Sequence, residues 1–261
     1  HVKALLGHET EELTPAEARR YAPALEGPFA GATLAPEYRM ATHPLTVLRG
    51  LQAFVRERGR IKTGVVERIE ASEAGPLVVG ADGSTDTYDI VVVAAGVWSR
   101  DIVRRLGLKV LLEAERGYNT TFPGMPIDLP LPVFFGDHAF VASPLEGALR
   151  IGGAVELASP DAPPNPTRAR GMLDKMRRYV PSLPHEGGVE WMGRRPSTPD
   201  SLPVIGPHPR DRRIVFAFGH GHLGLTLSAA TAKVVADAIG SDWSDPHLAP
   251  FSITRFQQPA T

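Results

Sequence analysis

The chain has 261 residues, 43% of them hydrophobic and 22% charged, which suits a globular protein with one large domain or two modest ones. Its 28 basic and 29 acidic residues nearly cancel, so no basic excess favours nucleic acid or an anionic membrane as a partner. The absence of cysteine excludes disulfides, thiolate metal sites and cysteine nucleophiles, and it fits a reducing, cytoplasmic location. The longest apolar run, residues 90–98, is about half the length of a membrane span, so none is expected.

The first sixty residues predict two helices. The chain begins at His1 without a starting methionine or the apolar core of a signal peptide, and we expect further sequence upstream of it. Thr14, followed by a proline and then by Glu17, predicts the start of a short helix that runs to about Tyr21. Residues 46–58 place apolar side chains on one helical face and predict an amphipathic helix.

An α/β pattern follows. A strand is predicted at residues 60–66, and residues 77–79 together with a turn at 81–84 indicate a hairpin. Residues 88–95 are rich in β-branched side chains and predict a strand that is buried on both faces, as in a parallel sheet. A helix is predicted at residues 99–106.

The stretch from 117 to 153 changes to short strands, with a hairpin predicted between residues 140–142 and 148–152. This change marks a second, mostly antiparallel domain. A helix is predicted at residues 167–179, and the chain then returns to the α/β pattern with a strand at 214–218.

A glycine loop follows that strand. Residues 219–224, GHGHLG, match G-x-G-x-x-G and precede a helix predicted at 226–239. A dinucleotide-binding unit also needs a second parallel strand with an acidic tip, and this helix runs into a short tail instead. Two other interpretations stay open: an electron-rich flavin ring at the helix N-terminus, or a plain turn that needs glycine for positive φ. His220 and His222 lack a third ligand at a telling spacing, so no metal site is expected.

Four stretches together carry a family resemblance. The sequence VVAAGVWS at residues 92–99 resembles the strand and turn that run past the cofactor in glutathione-reductase-like flavoproteins, and RGY at 116–118 opens a substrate-domain strand. Residues 193–206 are similar to the G-x-R-P-x-T-P-D-x-x-P-x-I-G stretch of the D-amino acid oxidase family, and residues 219–226 are similar to its G-H-G-x-x-G-x-T loop. The chain resembles this family over about residues 35–256, and most of all its bacterial D-amino acid dehydrogenases, with glycine and sarcosine oxidases as relatives.

The resemblance implies FAD as the cofactor and a fold that mixes α/β and α+β structure. A partial glutathione-reductase-like FAD domain would be joined to a substrate domain with a mostly antiparallel mixed sheet. The implied boundaries are 1–34 for a lead-in that belongs to the substrate domain, 35–108 for the partial FAD domain, 109–196 for the substrate domain and 197–261 for a return to the FAD domain. The family's N-terminal FAD-binding segment, with its glycine-rich turn, has no counterpart before the helix at 46–58, and we expect it to be a missing partner of this chain.

Arg195 is the first candidate for substrate binding. It occupies the position of the family's R-P arginine, and a guanidinium can hold the planar carboxylate of an amino acid with two parallel charge-assisted hydrogen bonds. The alternative is an arginine in a surface salt bridge. Arg194, its neighbour, is a weaker candidate because adjacent strand residues point to opposite faces. Phe140 and Tyr118 are pocket candidates, and for each of them a plain core role is an equal alternative.

The implied reaction is FAD-dependent oxidation of the C–N bond of an amino acid, in the D configuration, to an imino acid. No catalytic side chain is predicted, because the flavin carries the chemistry while the protein orients a small-molecule substrate. The alternatives are a substrate-binding or interaction fragment without functional FAD and, less favoured, an NAD-dependent dehydrogenase. The residues implied to contact FAD are Val66, Ala95, Gly96, Gly219, His220, Gly221, His222, Leu223, Gly224 and Thr226.

Overall fold

A computed structural model of the chain describes residues 9–41, 43–125, 127–159 and 161–257. The helices and strands are, in chain order, β1 (Glu11–Leu13), α1 (Pro15–Tyr21), β2 (Ala32–Leu34), α2 (Pro44–Arg58), β3 (Val66–Glu70), β4 (Leu77–Gly80), β5 (Thr85–Thr87), β6 (Val91–Val93), α3 (Ser99–Arg105), β7 (Glu113–Pro123), β8 (Val133–Phe135), β9 (Phe140–Leu145), β10 (Ala148–Leu157), α4 (Pro166–Met176), β11 (Val189–Ser197), β12 (Val204–Pro207), β13 (Ile214–Phe218) and α5 (Ser228–Gly240). Short 3₁₀ turns occur at Gly96–Trp98, Gly136–His138, Gly221–Leu223, Pro246–Phe251 and Ile253–Phe256.

The chain forms two compact units. The first contains residues 1–61, 117–155 and 163–193, and the second contains residues 62–116, 156–162 and 194–261. Helices and mostly antiparallel sheets make up both units, which confirms the predicted mixed α/β and α+β class. The assignment of particular ranges to FAD and to substrate stays a prediction.

The first unit is built on an antiparallel sheet. The strand order is β11-β7-β10-β9-β8, and the unit takes in β8, β9 and the parts of β7, β10 and β11 within its boundaries. The predicted hairpin is confirmed, with Ala148 of β10 opposite Leu145 of β9. Helix α4 packs its buried Met172, Leu173 and Met176 into the same apolar cluster as the sheet. It ends three residues earlier than predicted.

Helix α1 begins as the sequence predicts. The side chain of Thr14 accepts a hydrogen bond from the backbone N–H of Glu17, and the Glu17 carboxylate accepts one in return from the Thr14 N–H at 2.9 Å. This reciprocal pair satisfies two backbone donors that a helix start would otherwise leave open, and Pro15 supplies a preset φ.

Helix α2 confirms the predicted amphipathic helix but leaves its apolar face exposed. The helix begins at Pro44, two residues before the predicted start, and none of its residues is buried. Leu48, Leu51 and Phe54 lie on the exposed face. An apolar stripe of this kind normally covers a core. Within the described residues of the first unit, nothing buries it.

The second unit contains two small sheets. One has the order β12-β13-β6, in which β13 runs antiparallel to β12 and parallel to β6, and the other is the antiparallel ribbon β3-β4-β5. The predicted hairpin is confirmed, and the backbone N–H of Ser84 donates to the Asp82 carboxylate in its turn. The strand predicted at 60–66 is wrong. β3 starts only at Val66, because its partner β4 ends at Gly80, directly opposite.

The strand β6 is shorter and less buried than the sequence predicts. It spans three residues, and Val93 is 3% exposed whereas Val92 is 42% exposed. The prediction of burial on both faces is therefore wrong for this structure. The physical reason is position: β6 lies at the edge of its sheet, and no strand of the described ranges pairs with its outer side. Helix α3 occupies the predicted segment, ending at Arg105, and α5 begins two residues after its predicted start, at Ser228.

Two glycines allow a test of packing in the first unit. A Cβ on Gly153 of β10 would lie 2.5 Å from the Phe140 Cα and 2.6 Å from the Ala139 carbonyl oxygen, at φ +150°. We expect Gly153→Ala to lower the free energy of unfolding by about 1–3 kcal/mol or more, because backbone atoms must move. Gly171 is exposed on α4, with open space around a new Cβ, so Gly171→Ala should raise it by about 0.5–1 kcal/mol. Urea unfolding measures both, and equal effects would contradict the packing described.

Candidate functional site

Two of the three glycines in the glycine loop have a backbone conformation that favours glycine. Gly219 and Gly221 have φ of +83° and +52°, which side chains other than glycine rarely adopt. Gly224 differs, because its φ of −56° is helical and a new Cβ would make only an ordinary 3.7 Å contact with His220. The plain-turn alternative thus explains the first two glycines. At the third, the chain leaves room next to an exposed backbone.

His220 fastens this loop to helix α5. Its Nε2 atom lies 3.0 Å from the Thr231 hydroxyl, and the ring is half-buried. Burial lowers the pKa of His220, since the charged imidazolium would lose solvation. The imidazole is therefore neutral at pH 7.

A partly buried carboxylate connects the loop with two neighbouring strands of the second unit. Glu115 of β7 is 17% exposed, and the Ser197 hydroxyl of β11 donates to its Oε2 at 2.9 Å. The imidazole Nε2 of His222 hydrogen-bonds to its Oε1. The Nη1 atom of Arg195, also on β11, lies 3.8 Å from the same Oε1. One carboxylate therefore meets three polar partners. We refer to Glu115, Arg195, Ser197 and His222 as the Glu115 cluster.

The Glu115 carboxylate is ionised at neutral pH. Its burial acts to raise the pKa, but hydrogen bonds from His222 and Ser197 and the charges of His222 and Arg195 together hold the pKa below its ordinary value. Hydrogen bonds to the charged form of an acid favour that form. The cluster thus has a fixed negative charge at its centre.

Arg195 keeps hydrogen-bonding capacity within this cluster. Its Nη1 atom is buried and has no hydrogen-bond partner among the described residues, because 3.8 Å to Glu115 is an ion-pair distance and too long for a hydrogen bond. Arg195 therefore does form an ion pair, with Glu115, as the salt-bridge alternative describes. The Nη1 atom in that pair is buried and does not lie at the surface. Glu115 was absent from the predicted site residues. The available signal was a carboxylate in a strand with alternate buried positions, where charges are usually paired.

Tyr118 and Phe140 lie in the first unit, and both are core residues there. The Tyr118 hydroxyl accepts a hydrogen bond from the Asn165 backbone N–H at 3.0 Å, and the Phe140 ring stacks on Phe135 with 4.6 Å between centroids. Both side chains are almost fully buried, as the core alternative describes. A contact of either residue with substrate stays a prediction.

An apolar groove of about 960 Å³ opens beside β3, β6 and α3 in the second unit. Val66 and Ala95, both predicted cofactor contacts, line it, and Gly96 follows directly at φ +57°. The charged side chains in its lining are Glu67, Asp101 and Arg105, and Arg105 is already paired with Glu67 at 2.8 Å. The groove is therefore suited to a flat apolar ring, and it offers little to a diphosphate.

The comparisons with known proteins define the class of protein. A family described as FAD dependent oxidoreductase matches residues 2–238, and the chain belongs to this family. The predicted resemblance and the FAD cofactor are thereby confirmed. The match favours FAD over the dinucleotide interpretation of the glycine loop. In the described part of the chain that follows α5, residues 241–257 contain only turns, without the second strand that interpretation requires.

Two named relatives and one solved structure are similar to this chain. The chain is 38% identical over 172 residues to a D-amino-acid oxidase of Bradyrhizobium diazoefficiens, covering 64% of this chain and 41% of that protein. It is 33% identical over 255 residues to a D-amino acid dehydrogenase of Paramagnetospirillum magneticum, covering 93% and 59%. The structure of glycine oxidase from Geobacillus kaustophilus superimposes with a TM-score of 0.86 at 27% identity, covering 97% of this chain and 69% of that one. The matched part of the chain thus spans 41% and 59% of the length of the two named relatives and 69% of the glycine oxidase.

The described residues fit part of an FAD molecule. The open side of Gly224 would accept a ring close to the backbone, and the groove at Val66 and Ala95 would accept a second ring. The diphosphate between the rings would need cationic donors, and the cation of the groove lining, Arg105, is already paired with Glu67. No helix in the described ranges is long and apolar enough to cross a bilayer.

The loop glycines separate a folding role from a cofactor role. Gly219→Ala should lower the free energy of unfolding by about 1–2 kcal/mol, because its φ is positive and the new Cβ would lie 3.3 Å from Thr198. Gly224→Ala should not lower it, yet it should weaken FAD binding in the FAD-loaded protein, since the methyl fills the space beside the backbone. Thermal unfolding and FAD titration measure the two effects. Unchanged FAD affinity in Gly224→Ala would leave the loop as a turn without a cofactor role.

Proposed function

We propose that this chain binds a D-amino acid and holds it for oxidation of its C–N bond to an imino acid. The observation that supports this most directly is the buried Arg195 Nη1 donor, which lacks a hydrogen-bond partner among the described residues and lies beside a fixed carboxylate. FAD, when bound, supplies an acceptor for the hydride that leaves the α-carbon. The D configuration is supported by the names of the two relatives, D-amino-acid oxidase and D-amino acid dehydrogenase.

Arg195 would anchor the carboxylate of the substrate. A buried donor without a partner costs about 1–3 kcal/mol, so a ligand that satisfies it gains a comparable amount. A guanidinium presents parallel N–H groups that match both oxygens of a carboxylate. The negative Glu115 at 3.8 Å keeps the guanidinium in place without using this donor. One donor of the anchor, Nη1, is therefore preset for a carboxylate oxygen.

Anchoring the carboxylate also orients the reacting atom. The α-carbon is bonded directly to the carboxylate. Holding both carboxylate oxygens therefore restricts the directions in which the α-carbon hydrogen can point. Restricting a reactant in this way removes much of the entropy cost of reaching the reactive geometry. The imino acid that forms is hydrolysed by water to a 2-oxo acid and ammonia or an amine.

FAD binding would be shared with the family's N-terminal FAD-binding segment. Three separate surfaces of the chain support this part of the proposal. Arg105, the cation of the groove lining, is already paired with Glu67, β6 presents an exposed outer edge with Val92, and α2 exposes a complete apolar face. Parallel strands and amphipathic helices are normally covered by other elements.

The 261-residue chain alone should bind FAD weakly. Loss of two or more charge-assisted contacts to the diphosphate, at about 1.5–3 kcal/mol each, should weaken binding roughly a hundredfold or more relative to a protein extended at its N-terminus. Flavin fluorescence titration of both proteins measures the difference. Tight, stoichiometric FAD in the 261-residue chain would refute the shared site. Absence of FAD from both proteins would favour the alternative of a binding fragment without flavin.

Arg195→Lys should lower kcat/KM for a D-amino acid and leave the FAD content of the enzyme intact. Lysine keeps the charge but loses the bidentate geometry, which is worth ~1.5–3 kcal/mol, roughly ten- to hundredfold. The decarboxylated amine of the same amino acid should be a poor substrate with little difference between the two enzymes. The matched control is Arg170→Lys, at an exposed position of α4, which should behave as wild type. Near-wild-type kinetics in Arg195→Lys would show that the anchor lies elsewhere.

A further inference from the structure

Oxidation of an amino acid requires a neutral amine. At neutral pH the amino group is mostly an ammonium, which has no lone pair to form the C=N bond as the hydride leaves. A base must therefore take one proton from nitrogen, so that the electron pair of the broken N–H bond stays on the nitrogen. A well-placed histidine, aspartate or glutamate is the usual base for such a step.

We propose that His222 accepts this proton on Nδ1, and that Glu115 is the positioning residue that prepares the imidazole for it. The inference rests on the proposed function, because it takes Arg195 as the carboxylate anchor. Arg195 Nη1 and His222 Nε2 both meet the same atom, Glu115 Oε1. The amino and carboxyl groups of the substrate are bonded to one carbon, so a carboxylate at Arg195 brings the amine next to the neighbours of Arg195.

Glu115 fixes which nitrogen of His222 is basic. An ionised carboxylate only accepts hydrogen bonds, so the His222 Nε2 atom must carry its hydrogen and donate it. The lone pair of the neutral imidazole is then on Nδ1, on the other side of the ring. The Ser197 hydroxyl holds the second carboxylate oxygen at 2.9 Å, which prevents Glu115 from rotating away. When Nδ1 takes up the proton, the imidazolium lies against a negative charge that stabilises it.

The other groups of the cluster are unsuited to the role. Glu115 of β7 contacts His222, Arg195 and Ser197 of β11 contact the same carboxylate, and His220 lies in the same loop. The pKa of Glu115 is below its ordinary value, so the carboxylate is a weak base, and arginine offers no acceptor. His220 is half-buried, and its Nε2 lies at the Thr231 hydroxyl. The His222 side chain is 56% exposed, so it can pass its proton to solvent before the next turnover.

The first test is His222→Gln in the FAD-loaded enzyme. At pH 7, kcat/KM for a D-amino acid, compared at equal FAD content, should fall roughly a hundredfold to ten-thousandfold. The deficit should shrink to a few-fold near pH 10, because the substrate then arrives with its amine already deprotonated. His247→Gln is the matched control at an exposed position outside the cluster, and it should show no effect at either pH. A deficit that stays constant from pH 7 to pH 10 would overturn the proposal.

The second test measures the tautomer of His222 directly and does not depend on turnover. In ¹⁵N-histidine NMR spectra, neutral His222 should carry its hydrogen on Nε2, and in Glu115→Gln this preference for Nε2 over Nδ1 should weaken, because the carboxylate that accepts the hydrogen is gone. Neutral His222 with its hydrogen on Nδ1 would refute the role of Glu115. Absence of amino-acid oxidation in the wild-type enzyme would instead refute the proposed function and leave the NMR result standing.

Discussion

The carboxylate of Glu115 is partly buried, and an ion removed from water in this way is destabilising unless its neighbours compensate. The compensation comes from side chains that are far apart in the sequence. Ser197 is 82 residues away and His222 is 107 residues away. Because these side chains contact one carboxylate, they fix the positions of the end of β11 and of the glycine loop relative to β7. The chemistry proposed for Arg195 and His222 depends on this common partner.

The arrangement also shows how one buried charge can serve two purposes. The pair with Arg195 keeps a cation in place without occupying its buried nitrogen, whereas the bond with His222 selects a tautomer. Replacement of one partner in such a network leaves the others with unmet hydrogen bonds, so single substitutions should not have additive effects. Glu115→Gln combined with His222→Gln should therefore cost less than the sum of the two single changes.

Local sequence signals predicted most of the helices and hairpins, and they failed where distant pairing decides. The capping pair of Thr14 and Glu17 and the turn at Asp82 act within a few residues, so they can be read from the chain. The start of β3 depends on where β4 ends, and the burial of β6 depends on a neighbour at its outer edge, neither of which a local pattern contains. The same limit applies to the site. Family motifs indicated Arg195 and the loop, whereas Glu115 acquires meaning only through partners from other segments.

The parallel pairing of β6 with β13 has a consequence for biosynthesis. Val91 pairs with Ile214, so about 120 residues separate a strand from the partner that the described structure gives it. At about 5–20 residues per second, a ribosome needs roughly 6 to 25 seconds to supply that partner. During this interval a valine-rich strand has unpaired backbone groups, which is the kind of segment that other nascent chains and chaperones bind. Slower translation between β6 and β13 would lengthen the time for which this strand stays unpaired.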